Sequence, residues 1–133
     1  MSTTTTIRVR FHELDPNGHV NHGVYANYFE TARIELLDGL GFGPGVLAAR
    51  GVHLVVVELR IHFRRPAHAG QTLTVRTWVE ELRRASSWWA QQIVDETGQI
   101  VAEAEVRSTA TNPAGRPIPP PPELAEKLAT LQA

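Results

Sequence analysis

The 133-residue chain has no cysteine, a single methionine and no apolar run approaching the roughly 18 residues that a membrane-spanning helix needs. Without cysteine there is no disulfide framework, no thiol nucleophile and no thiolate zinc site, and the composition suits a cytoplasmic compartment. Charge of one sign is missing too. Thirteen Lys and Arg against 14 Asp and Glu leave a formal net charge of -1, so the basic excess that nucleic acid demands is absent. Met1-Ser-Thr-Thr-Thr-Thr6 has neither a basic nor an apolar stretch; it reads as no secretory leader and as a disordered start over residues 1–6. What is present is a core: 42% hydrophobic and 20% charged residues suit one soluble globular domain.

Ile7, Val9 and Phe11 alternate with Arg8, Arg10 and His12, the period of a half-buried strand. The period then changes. Tyr25, Phe29, Ala32, Leu36 and Leu40 recur at three and four, predicting a helix from Asn21 to about Leu40, with Asn21 as N-cap and Gly39 and Gly41 as the stop. Four strand-like segments follow, at about 52–64, 72–82, 86–94 and 100–111. The first puts Val55, Val57, Leu59, Ile61 and Phe63 on one face, and short turns between the segments imply a four-strand antiparallel meander. Neither helix nor sheet buries its apolar face alone, so an α+β packing of a curved sheet over the helix is expected. Six of the nine prolines fall between Pro113 and Pro122. Residues 113–133 therefore read as a stiff proline-rich tail, a spacer or a ligand for a proline-recognising domain. It carries Leu124, Leu128 and Leu131 into a short terminal helix resting on the domain formed by residues 1–112.

The segment Asp15-Pro-Asn-Gly-His-Val-Asn-His22 joins the first strand to the helix. Acid, proline and glycine there make an ordinary turn. The loop ends, however, where a helix begins, and a first helical turn offers unpaired N–H groups of partial positive charge. Amides near His22 and Gly23 are placed to polarise a carbonyl, and a carboxylate a few residues upstream to attack it or to activate water.

Asp15-x-x-Gly18-His19-Val20-Asn21-x-x-x-Tyr25-x-x-Tyr28-Phe29-Glu30-x-Ala32-Arg33 resembles the signature of hotdog-fold acyl-CoA thioesterases of the 4-hydroxybenzoyl-CoA thioesterase type. The likeness runs on through Ile61-His-Phe63, Arg65-Pro66, Gly70 and the Arg83-Arg84 turn, covering about residues 7–112. It implies a five-stranded antiparallel sheet wrapped around one long central helix. It also implies Asp15 as catalytic carboxylate, acting as nucleophile or as general base, and the His22 backbone amide as oxyanion donor. Gly18 and Tyr25 fall on the substrate side, and Arg83 and Arg84 stand where the family takes the phosphates of coenzyme A, although a further base found there in some members is Ala85. Many relatives read Asn where this chain has His22, a change that a backbone role survives. Acyl-CoA is then the substrate, no cofactor is required, and a homodimer or homotetramer is implied with the site at the subunit interface. An acyl-carrier-protein thioesterase and a non-catalytic acyl-CoA-binding domain are the alternatives.

His12, His19 and His22 match no strong metal spacing, so no metal site is assigned. His19 reads as a hydrogen-bonding brace for the loop, with direct participation in catalysis as the other reading. Asn21 is a cap with a substrate contact as its alternative. Glu30 and Arg33 at i,i+3 read as an exposed pair on the helix, with a buried catalytic Glu30 as the competing reading. Trp78, Trp88 and Trp89 read as core or interface packing.

Overall fold

A computed structural model describes all 133 residues. Five strands form one antiparallel sheet: β1 (Thr3–Arg8), β2 (His53–Phe63), β3 (Thr72–Leu82), β4 (Ser86–Val94) and β5 (Ile100–Thr111). The spatial order is β1-β3-β4-β5-β2. The meander is thus three strands long, and β2 lies against β5 at the sheet edge instead of beside β3. The eight residues between Phe63 and Thr72 span a wider gap than a tight hairpin turn, which frees β2 from its sequence neighbour. The Thr-rich start is ordered: Thr3 to Arg8 pair with Thr77 to Thr72 of β3. Threonine is β-branched and suits an edge strand, even though its polarity hid it from a search for apolar alternation. Conversely Phe11, expected to continue that strand, is 81% exposed and begins a 3₁₀ turn, Phe11–Glu13.

Helix α1 (His22–Gly39) crosses one face of the sheet. Its buried positions, Tyr25, Tyr28, Phe29, Ala32, Arg33, Leu36 and Leu37, recur at alternating steps of three and one, the stripe of a helix lying on a broad surface. Opposite lie Leu73, Val75, Val79, Trp89, Ile93 and Val106 in the same apolar core. Phe29 is wholly buried, a contribution of about 2–3 kcal/mol from transfer alone. The chain reverses after α1 at Gly41, whose φ of +82° favours glycine, and short helix α2 (Pro44–Ala49) leads into β2.

The proline-rich segment runs into α3 (Pro122–Ala129), which buries Leu124 and Leu128. Leu131 is buried as well. Backbone bonds from Val79 N–H to the Leu131 carbonyl and from Ala133 N–H to the Val79 carbonyl extend the β1 side of β3. On the opposite sheet edge β2 is open. Its register slips between Val56 and Glu58, so the face expected for Val55 and Val57 does not continue evenly to Leu59. Val55, Val56, Val57, Leu59 and Phe63 are all exposed. No helix is long and apolar enough to cross a membrane.

Candidate active site

The loop before α1 is built around Asp15. Its N–H donates to the His19 carbonyl at 2.6 Å, and the Gly18 N–H donates back to the Asp15 carbonyl at 3.1 Å. Asp15 Oδ1 accepts from the amides of Asn17 (2.8 Å) and His19 (3.1 Å). Both bonds fall on one oxygen, which leaves Oδ2 without a donor from the protein. Gly18 closes the turn at φ +77°. The loop is pinned from outside by Val20 N–H on the Ala67 carbonyl and Asn21 N–H on the Glu13 carbonyl. Glu13 in turn accepts from the Arg10 amide and the Tyr28 hydroxyl, both at 2.8 Å. The His19 and His68 rings meet edge to face at 5.0 Å. His19 therefore braces the loop through backbone and ring.

Asn21 caps α1: its Oδ1 accepts from Gly23 N–H at 2.9 Å. The His22 N–H, first of the helix, has no acceptor in the protein. Asp15, His19, His22 and Tyr25 line one cleft of about 320 Å³ with Val20, Phe63, Arg64, Arg65 and Pro66. Tyr25 is buried and packs its ring edge on Phe63 at 5.3 Å. Its phenol pKa is raised, chiefly by burial and further by the Asp15 charge, against a lowering from the Ala67 backbone. The Tyr25 hydroxyl is thus a neutral group beside the carboxylate.

Arg83 and Arg84 do not join this cleft. They lie just past the far end of β3, whereas the Asp15 loop is tied to Ala67 and His68, just before its start. The length of β3, about 30 Å of strand, runs between the two places. Arg83 bonds Glu81 at 2.8 Å and stacks 4.9 Å from the Trp88 ring. Both arginines instead line a separate cleft of about 340 Å³ walled by Leu54, Pro119, Pro120 and Leu128.

Two features escaped the sequence. Arg64 and Arg65 stand on the Asp15 cleft; Arg64 is held by Glu103 at 3.0 Å, while Arg65 pairs with no carboxylate. Their signal was a double arginine before Pro66, at the end of the strand that runs beside α1. Arg33 is buried, 8% exposed, and makes no ion pair with Glu30. Its Nη1 donates to Gln91 Oε1 at 2.8 Å. Gln91, itself buried, donates to the Phe29 carbonyl and Thr77 Oγ1, each at 3.0 Å. Of the tryptophans, Trp89 is in the core and Trp78 and Trp88 are half-buried. No group of three or more His, Asp or Glu side chains gathers at one point.

A helix laid across a five-stranded antiparallel sheet, with an acidic loop at its N-terminus, defines a hotdog-fold domain. Residues 9–128 match the family described as the thioesterase-like superfamily, and the chain belongs to it. Among curated proteins it is similar to the putative esterase sll0410 of Synechocystis, 33% identical over 95% of this chain and 78% of that protein. It is also similar to the long-chain acyl-CoA thioesterase FadM of Escherichia coli, 35% identical over 75% of this chain and 76% of that protein. Among solved structures, hypothetical protein TT1821 from Thermus thermophilus superposes with a TM-score of 0.91 at 34% identity, covering 100% of this chain and 99% of the other.

Proposed function

We propose that the protein is an enzyme that hydrolyses acyl-CoA thioesters to a free acid and coenzyme A. The observation that carries this reading is one cleft that holds a carboxylate oxygen without a donor and a helix-terminal amide without an acceptor. A thioester carbonyl set against the His22 N–H is polarised, and the charge that builds on its oxygen falls where the helix terminus favours it. Asp15 then has two routes. As nucleophile it adds to the carbonyl carbon, the thiolate leaves, and water opens the resulting anhydride. As general base it takes a proton from water, whose oxygen adds to the carbonyl, and the proton ends on the departing sulfur. Either way the atoms of one water balance the reaction.

His19 and Asn21 hold this geometry by backbone bracing and capping, Gly18 gives the loop its turn, and Tyr25 presents a neutral hydroxyl to the substrate. Arg65 is the unpaired cation on the same cleft and takes a phosphate of coenzyme A. Arg83 and Arg84 contribute only from a neighbouring subunit. The open β2 edge, with its exposed valines, Leu59 and Phe63, supports a homodimer built on that strand, in the cytoplasm.

The test is thiol release from a panel of acyl-CoA and carrier-protein thioesters. Turnover of a CoA ester supports the reading. A folded protein that hydrolyses none of them overturns it.

A further inference from the structure

Glu13 fastens the Asp15 loop to α1 at two points, and the chemistry proposed above uses neither. Its carbonyl accepts the Asn21 N–H at 2.8 Å, and its Oε1 accepts the Tyr28 hydroxyl, also at 2.8 Å. Both contacts fall on one side of the helix. Asn21 and Tyr28 are seven residues apart, two helical turns to within about 20°, and a helical side chain leans back toward the N-terminus, so the Tyr28 phenol runs down the helix to where the Glu13 carbonyl meets Asn21. Tyr28 is buried and makes no other hydrogen bond. Burial, and after it the bond to Glu13, raises the Tyr28 pKa, so the hydroxyl remains a donor. Glu13 is half-buried and forms no ion pair that would compete for its carboxylate.

Residues 14–20 form a narrow reversal, closed by the bridge of Leu14 with Val20 and by the Asp15 N–H on the His19 carbonyl. Its returning arm is tied to the chain before β3 by Val20 N–H on the Ala67 carbonyl, whereas its outgoing arm is hydrogen-bonded to α1 through Glu13 alone. One hydrogen bond there would be a pivot. The second, from the side chain of the same residue, fixes the angle. That angle matters because Asp15 Oδ2 and the His22 N–H belong to different elements, loop and helix, and one thioester carbonyl has to meet both. Asp15 follows Glu13 by two residues and His22 follows Asn21 by one, so little chain lies between this junction and the two reacting groups.

Resting on the thioesterase reading, we propose that Glu13 and Tyr28 are positioning residues: their hydrogen bond sets the angle between the Asp15 loop and α1, and with it the reach of the Asp15 carboxylate to a carbonyl held at the His22 amide. Neither residue lines the Asp15 cleft. Loss of the bond therefore slows the chemical step and leaves substrate affinity in place, whereas a pair that only stapled the fold would cost stability and leave kcat of the folded protein unchanged. A misplacement of about 1 Å can cost about a hundredfold in rate. A loop still held by its other bonds should lose about tenfold.

The experiment measures kcat and KM on the best CoA ester, and amide hydrogen exchange by NMR, for the parent, Tyr28→Phe, Glu13→Ala and Glu13→Gln. Tyr28→Phe and Glu13→Ala should each lower kcat about tenfold with KM within about twofold of the parent. Both should speed exchange of the Asp15 and His19 amides at least about fivefold while the amides of β4 exchange as in the parent. Glu13→Gln keeps an acceptor oxygen and should recover kcat to within about threefold of the parent. In an Asp15→Asn background, Tyr28→Phe should cost less than about twofold, because no carboxylate remains to be positioned. The proposal is overturned by a tenfold loss that persists in that background, by an unchanged kcat in Tyr28→Phe and Glu13→Ala, by a Glu13→Gln protein as slow as Glu13→Ala, or by loop amides that exchange as in the parent. If Tyr28→Phe fails to fold, Glu13→Ala makes the same comparisons from the other side of the bond. Failure of the thioesterase reading is separate: the parent then releases no thiol, and the exchange rates alone decide whether the bond holds the loop.

Discussion

Asp15 and His19 grip each other twice, by the Asp15 N–H on the His19 carbonyl and by the His19 N–H on Asp15 Oδ1, at 2.6 and 3.1 Å. The second bond uses the same oxygen that receives Asn17 N–H. The loop is therefore held by one carboxylate oxygen, and the other is left free for the chemistry proposed for it.

Asp15→Asn exploits this division. The amide oxygen still accepts both backbone donors, while the free position becomes an NH₂ that is neither base nor nucleophile. The turn should persist and kcat should fall by at least about a hundredfold, the lower end of what a positioned acid-base group supplies. The measurement is kcat on the best CoA ester, with circular dichroism to confirm the fold. A folded variant that keeps more than about a tenth of the parent rate removes Asp15 from the chemistry and passes the role to Glu30.

Gly18→Ala probes the loop from the backbone side. A Cβ at Gly18 meets nothing within 4 Å, so a clash cannot explain any loss. The strain comes from φ +77° alone, at about 1–2 kcal/mol. Urea unfolding should show that loss for Ala and less for Asn, which visits this region more readily. Equal stability of all three proteins would sink the claim that the turn needs glycine.

The helix was legible because its stripe is long and capped at both ends by residues of strong local preference, Asn21 and the Gly39–Gly41 pair. The Asp15 loop was legible because acid, turn and helix start lie within eight residues. Pairing of β2 with β5 was not, since strand order depends on contacts across the sheet that leave no local trace. Arg33 failed for a related reason. A helical Glu–Arg pair at i,i+3 looks the same in sequence whether solvent or Gln91 receives it, and Gln91 lies 58 residues away.

Arg65 and the Arg83–Arg84 pair make opposite claims on the phosphates of coenzyme A. Arg65→Ala should raise KM for CoA esters about tenfold, the effect of losing one charge-assisted contact of about 1.4 kcal/mol. It should leave KM unchanged for the corresponding N-acetylcysteamine thioester, which has no phosphates. The Arg83→Ala/Arg84→Ala double variant should move KM less. The reverse ranking assigns the phosphates to a neighbouring subunit's turn, and no effect in either protein discards both assignments.

Leu59 sits on the unpaired side of the sheet in β2, where exposed apolar side chains invite a second strand. Light scattering should give the parent at least twice its 14.7 kDa chain mass. Leu59→Lys should run closer to the monomer and lose activity in parallel, because the site is read as lying at a subunit interface. A parent that is monomeric and fully active contradicts this arrangement.

Gln91 is the last test, because it joins the two layers of the domain. Lying on β4, it donates to the Phe29 carbonyl of α1 and to Thr77 of β3 while accepting from Arg33. Gln91→Leu keeps the volume and removes all three bonds. The Phe29 carbonyl retains its place in the helix ladder, so the cost falls on the Thr77 hydroxyl and above all on the Arg33 guanidinium, which loses its only acceptor in the protein. An unsatisfied buried polar group costs about 1–3 kcal/mol and a charged one more, so the expected loss is about 3 kcal/mol. It should appear in denaturant unfolding as a lower midpoint with an unchanged slope. A loss under about 1 kcal/mol would mean that Arg33 finds water or another acceptor in the folded protein, and that this hydrogen-bonded junction does not hold the helix to the sheet.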